Sequence, residues 1–90
     1  MNDQRIINYL KDKGIRPQIC GFKYLYTSIK YCMKIGEVPK ITQEVYPAIG
    51  RLFKTQPSKV ERGIRHAIST SKVKFMTNKE FIATALLDIK

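Results

Sequence analysis

QPSKVERGIRHAI, residues 56–68, decides how the rest of this 90-residue chain is read. Pro57 suits the first turn of a helix, where its missing N–H has no intrahelical partner to lose. Val60, Ile64, Ala67 and Ile68 then recur on one face at helical spacing. On a wheel at about 100° per residue these four fall within roughly 80° of Val60, while Ser58, Arg62, Arg65 and Ser69 gather about 140–200° away. Lys59 and His66 flank that outward pole on one side and Glu61, the only acid of the stretch, on the other. A helix that merely props up a core usually mixes charge signs more evenly on its wet side. This face is suited to meet something negatively charged. The pattern predicts a helix from Pro57 to about Ser69.

Immediately upstream, KTQPS reads as a tight turn, and before it a helix is predicted from near Thr42 to near Lys54. Thr42 can cap that helix, and Glu44 lies in its first turn, where the helix dipole favours an acid. Pro47 admits two readings: the true helix start after a separate turn at residues 43–46, or a kink in one helix. Ile49, Leu52 and Phe53 are expected to face inward, and Gly50 to permit a close helix crossing. Two short helices joined by a tight turn, the second one basic, make a helix-turn-helix over about residues 42–69, with 57–69 as its recognition helix.

The flanks are helical too. A first helix is predicted over Asp3–Lys13, capped by Asn2 or Asp3, striped by Ile6, Ile7 and Leu10, and stopped by Gly14. IRPQICG reads as a loop punctuated by Pro17 and Gly21. A second helix is predicted over Phe22–Lys34, with Phe22, Leu25, Tyr26, Ile29, Cys32 and Met33 on one face and Lys23, Lys30 and Lys34 off it. IGEVPK breaks the chain, and STSKVKF is a short polar connection after the recognition helix. TNKE, residues 77–80, is a capping box opening a last helix with Phe81, Ile82, Ala85 and Leu86 inward. The expected fold is all-α: one domain over residues 1–90, a compact bundle of about five helices containing the helix-turn-helix, without a sheet.

Seventeen Lys and Arg against seven Asp and Glu give a net charge of +10. That balance speaks of partners, nucleic acid first and an anionic membrane surface second. Between Arg51 and Lys74 there are seven basic residues and one acid. Arg62 offers two parallel donors matching O6 and N7 of guanine, and Glu61 can accept from the amino group of cytosine. Ser58 and the free amides of the helix start can hold a phosphate. Arg51, Lys54, Lys72 and Lys74 bracket the unit as phosphate contacts, and His66 beside Arg65 reads as another. A membrane reading wants apolar anchors on the basic face, and Ser58, Arg62, Arg65 and Ser69 offer none. An acidic protein partner, such as a polymerase subunit, is the alternative: a basic helical adaptor.

Catalysis finds no support. Cys20 and Cys32 lack companions at metal-ligand spacing and read as free thiols, so no metal site or cofactor is expected. No carboxylate is fixed near His66, and CGFKY and KIGEV are single-glycine turns rather than phosphate loops. Tyr24, Tyr26 and Tyr31 can stack on single-stranded bases, but their spacing is that of packing. No run approaches the ~20 apolar residues that span a bilayer, and MNDQRIINYL lacks a signal peptide's apolar segment. The cytoplasm is the expected compartment.

PSKVERGIRHAI resembles a segment of the C-terminal DNA-binding (effector) domain of the stage 0 sporulation protein A response-regulator family, where the stretch reads much like SRVERAIRHAI. VYPAIGRLF, residues 45–53, stands where that family has LYPDIA-x-x-F, and GIRPQICGFKYL and TNKEFIA are further echoes. The resemblance implies a helix-turn-helix transcription regulator of sporulation that binds duplex boxes related to TGTCGAA, often as tandem sites filled by two copies. It implies base contacts from Arg62, Glu61 and the basic position Lys59, matches Arg65 and His66 to identical residues, and makes Pro47 a tolerated feature of the motif. Two departures stand out. The family's longer, partly helical segment after the recognition helix, to which contacts with RNA polymerase or the neighbouring copy are ascribed, shrinks here to STSKVKF. The family also joins this domain to a phosphorylatable receiver domain, so these residues read as an excised effector domain or a free-standing relative.

Overall fold

The computed structural model describes residues 3–36 and 40–89. Five α-helices, α1 Gln4–Asp12, α2 Cys20–Ile35, α3 Tyr46–Leu52, α4 Pro57–Ser69 and α5 Asn78–Asp88, share one hydrophobic core, and no strand occurs among the described residues. Helix α2 lies at the centre and packs against the other four.

Local signals set the ends of α1. Asp3 accepts a hydrogen bond from the Arg5 amide and an ion pair from its guanidinium at 2.8 Å, which holds the Asp3 carboxyl below the usual carboxylate range. Asn2, the alternative cap, lies outside the described residues. Gly14 closes the helix at φ 86°, with its own N–H on the Lys11 carbonyl and the Ile15 N–H on the Leu10 carbonyl. That double bond is a Schellman ending, which favours a residue without a Cβ. Ile6 and Leu10 are fully buried, and Ile7 is half-buried. Ile15, read as part of a loop, is buried in the core as well.

Helix α2 starts two residues before its predicted beginning, at Cys20, so Gly21 is a helical residue and not loop punctuation. A Cβ on Gly21 would lie 2.3 Å from the Gly63 carbonyl oxygen and 2.5 Å from Ala67 Cβ. Helices α2 and α4 therefore cross closely at this point, and the crossing requires a bare backbone there. Tyr24 is buried beside this crossing, while Tyr26 and Tyr31 are half-buried against the core, so packing uses all three rings. Cys32 is fully buried, which pushes its thiol up to about 11 and keeps it protonated. Helix α2 ends at Gly36, in the left-handed conformation; the predicted break at IGEVPK falls partly outside the described residues.

Before α3 the chain makes one π-helical turn, Ile41–Val45, that runs straight into the α-helix. The Tyr46 N–H reaches back five residues to the Ile41 carbonyl. Pro47 explains the widening. It has no N–H for the carbonyl four residues back, and its ring would press on that carbonyl. Pro47 thus sits near the N-terminus of α3, after a turn that is distinct yet continuous with the helix. Thr42 does not cap: it is exposed within the π turn, whose start is closed instead by the Lys40 N–H on Glu44 Oε2 at 3.1 Å. Leu52, expected inside, is 64% exposed, because Val45, Tyr46, Ile49 and Gly50 fill the buried arc of this short segment.

Helix α4 has the predicted limits. It ends without a glycine because three hydroxyls satisfy its last carbonyls: Ser69 on His66, Thr70 on Ala67 and Ser71 on Ile68, at 2.6–2.9 Å. The connection that follows is tied to α1 by the Lys72 N–H on the Lys13 carbonyl. The Thr77–Glu80 capping box opens α5, and the Tyr9 hydroxyl donates to Asp88 at 2.9 Å to hold the far end of α5 against α1.

Candidate nucleic-acid interface

Val60, Ile64, Ala67 and Ile68 anchor α4, each at most 2% exposed. Their burial stabilises the helix by roughly 1.5–3 kcal/mol for each large side chain. The other side of α4 is open: Ser58, Lys59, Arg62, Arg65, His66 and Ser69 are all exposed. Periodicity therefore divides this helix as the sequence implied, and a rigid core fixes which residues point outward.

The turn into α4 is shaped by Gly50 and Lys54. A Cβ on Gly50 would come within 2.8 Å of the Thr55 carbonyl oxygen, so this glycine admits the turn itself rather than a helix crossing. Lys54 has φ 55°, the only non-glycine residue with positive φ among those described. Its N–H bonds the Arg51 carbonyl and the Thr55 N–H bonds the Gly50 carbonyl, a Schellman ending with lysine where glycine is usual. An L-residue held there costs roughly 1–2 kcal/mol. Lys54→Gly is expected to raise stability by about 0.5–1 kcal/mol, the relieved strain less the entropy that glycine adds to the unfolded chain. A urea midpoint that stays put or falls would contradict this.

Gly50, Arg51, Lys54, Thr55, Gln56 and Lys59 together line an open depression of about 380 Å³ at the start of α4. Three cations converge there. Phe53 closes the turn inward, edge-on to Tyr24 with ring centroids 5.5 Å apart. Lys23 lies over both rings, its Nζ 5.1 Å from the Phe53 centroid and 5.7 Å from that of Tyr24. It adds a cation on the α2 side of the motif that the sequence pattern, which put it merely off the core face, did not single out.

The expected site residues form two groups. Arg51 in the last turn of α3, Lys54 in the turn that follows, and Ser58, Lys59, Glu61, Arg62, Arg65 and His66 on α4 make one group. Lys72 and Lys74 lie beyond the other end of a helix about 20 Å long, where Lys72 packs on the Gly14 turn. Glu61 differs from the rest in being half-buried, on the flank that meets α5, with its carboxylate 3.6 Å from the Arg65 guanidinium. An exposed pair of this spacing is worth about 0.3–0.5 kcal/mol, so either partner can turn to another ligand at little cost.

Residues 6–80 match the family described as sporulation initiation factor Spo0A C terminal. The chain belongs to that family. The match runs from α1 into the first turn of α5 and includes the whole helix-turn-helix. This is a helical, DNA-binding domain of a sporulation transcription regulator. No helix among the described residues is long and apolar enough to cross a membrane, and among them no three His, Cys, Asp or Glu side chains come together as a metal site.

One brace of the interface escaped the sequence reading. Asn78 is buried at the start of α5, and its Nδ2 donates to the Tyr46 hydroxyl at 2.9 Å and to the Glu61 carbonyl at 3.2 Å. It joins α3, α4 and α5 at one point. Burial raises the Tyr46 hydroxyl above its ordinary range, so it stays neutral. Asn at the first position of a capped helix gives no local sign of such a tertiary role.

Proposed function

We propose that the chain binds double-stranded DNA sequence-specifically, with α4 in the major groove, and so regulates transcription. The division of α4 into a fully buried apolar side and an exposed basic side supports the reading most directly. Arg62, at the centre of the outward face, donates twice to guanine and Glu61 accepts from a neighbouring cytosine; Lys59, a base contact by the family resemblance, lies on the flank beside Arg51 and Lys54 and is read here as a phosphate contact. Ser58, Arg51 and Lys54 hold phosphates around the helix start, Arg65 and His66 hold them along its later turns, and Lys72 and Lys74 reach the backbone farther along the duplex. The target is a box related to TGTCGAA, in keeping with the family and with the run from Lys59 to His66. A second copy fills the neighbouring box of a tandem site, and RNA polymerase is the partner in transcription. The site of action is the bacterial cytoplasm. No catalytic step and no cofactor enters the reading.

Affinity for duplex DNA should fall steeply with salt. With about five phosphates neutralised, log K against log salt should slope near −4 to −5. A flat response with retained affinity would contradict this binding mode.

A further inference from the structure

A helix in the major groove, itself about 10–12 Å across in a groove about 12 Å wide, has a phosphate strand along each side. On one side of α4 lies the depression lined by Arg51, Lys54 and Lys59. On the other lies a larger open groove of about 720 Å³ between the π-helical turn, α4 and the start of α5. Tyr46 and Asn78 line it, and Lys40, Thr42, Gln43 and Lys79 contribute exposed side chains. Its α4 wall is Glu61 and Arg65, so the groove opens beside the outward face of the recognition helix.

We infer that this groove takes the sugar–phosphate backbone of the second DNA strand, with Lys40 and Lys79 as charged contacts and Thr42 and Gln43 as hydrogen-bonding ones. The inference rests on α4 being the recognition helix. Charge favours it: Arg65 pairs with Glu61, the one acid among the lining residues, which leaves Lys40 and Lys79 as the net charge of the groove. Neither Lys40 nor Lys79 makes an ion pair among the described residues. The attraction comes from side chains, because the capping box already engages the Thr77 and Glu80 amides. Rigidity favours it as well. The Asn78 bonds to Tyr46 and to the Glu61 carbonyl lock the three walls together, so the backbone elements that carry the two lysines are held at a fixed offset from that of Arg62. The exposure of Thr42 within the π turn, otherwise a failed cap, then has a use.

The test is Lys40→Ala combined with Lys79→Ala, compared with the wild type on a specific and a random duplex across a salt series. Loss of two phosphate contacts should flatten the log–log slope by about two units on both duplexes and leave the ratio of the two affinities unchanged. Both lysines are exposed, so circular dichroism should stay native. Duplexes with neutral methylphosphonates, placed one at a time along each flank, supply the second readout. A set of positions on one strand should weaken the wild type and leave the double variant indifferent. A wild-type slope in the double variant, or equal sensitivity of both proteins at every methylphosphonate position, would overturn the second-strand site. If Arg62→Ala still abolishes the specific-to-random ratio in that case, the recognition-helix reading survives without this groove. If the wild type binds no duplex, both fall.

Discussion

Arg62→Ala should cost about 1–3 kcal/mol on the best duplex site and much less on random DNA. The side chain lies opposite Val60, Ile64 and Ala67, which are fully buried, so it points away from the core at the middle of the exposed face. On the proposed reading a paired donor at that position distinguishes guanine, so its loss should remove discrimination rather than general attraction. Specificity should drop toward the non-specific level. Lys59 lies on the flank, in the cationic depression with Arg51 and Lys54. Lys59→Ala should weaken specific and random DNA together and flatten the salt slope by about one unit. If Lys59 instead contributes a base contact, the specific site will suffer more than random DNA. Neither variant should unfold, since both side chains are exposed. Equal weakening on all sequences by Arg62→Ala would make Arg62 a phosphate contact.

Gly21→Ala should destabilise the fold by about 2–3 kcal/mol, the range of an overpacked core. The added methyl would meet the Gly63 carbonyl oxygen at 2.3 Å, and that atom belongs to the backbone of the helix that carries Arg62. Either α2 or α4 must move. Gly63→Ala is expected to behave differently. Its methyl would meet the edge of the buried Tyr24 ring at 2.8–2.9 Å, so the ring, a side chain rather than backbone, must shift against Phe53, while alanine gains up to about 1 kcal/mol of helix propensity at that position. Its net effect should lie within about 1 kcal/mol of zero. Denaturant midpoints decide both cases, and equal destabilisation by the two substitutions would refute the asymmetry of the crossing.

Features fixed by neighbours in sequence are legible in the sequence alone. The limits of α4 follow from Pro57 and the Val60–Ile64–Ala67–Ile68 period, and the start of α5 follows from Thr77 and Glu80. The outward face of α4 was legible for the same reason, because a helical period assigns each residue a direction. Features that depend on distant partners were not. Gly21 looks like loop punctuation until Gly63 is set against it. The π-helical turn is the backbone's response to Pro47, and a propensity for Thr caps does not foresee it. Lys40 and Lys79 are unremarkable lysines in sequence and meet across one groove only when α5 is docked on α3 and α4. Lys72 and Lys74 show the converse: near the motif in sequence, they lie beyond the far end of α4.

The central claim is that α4 reads base sequence, and selection from a random duplex pool, run in parallel on the wild type and Arg62→Ala, tests it most directly. The wild type should enrich a defined box related to TGTCGAA, and the variant should lose enrichment at the guanine that Arg62 contacts. No enriched box with the wild type, or the same box at the same strength with both proteins, would contradict it.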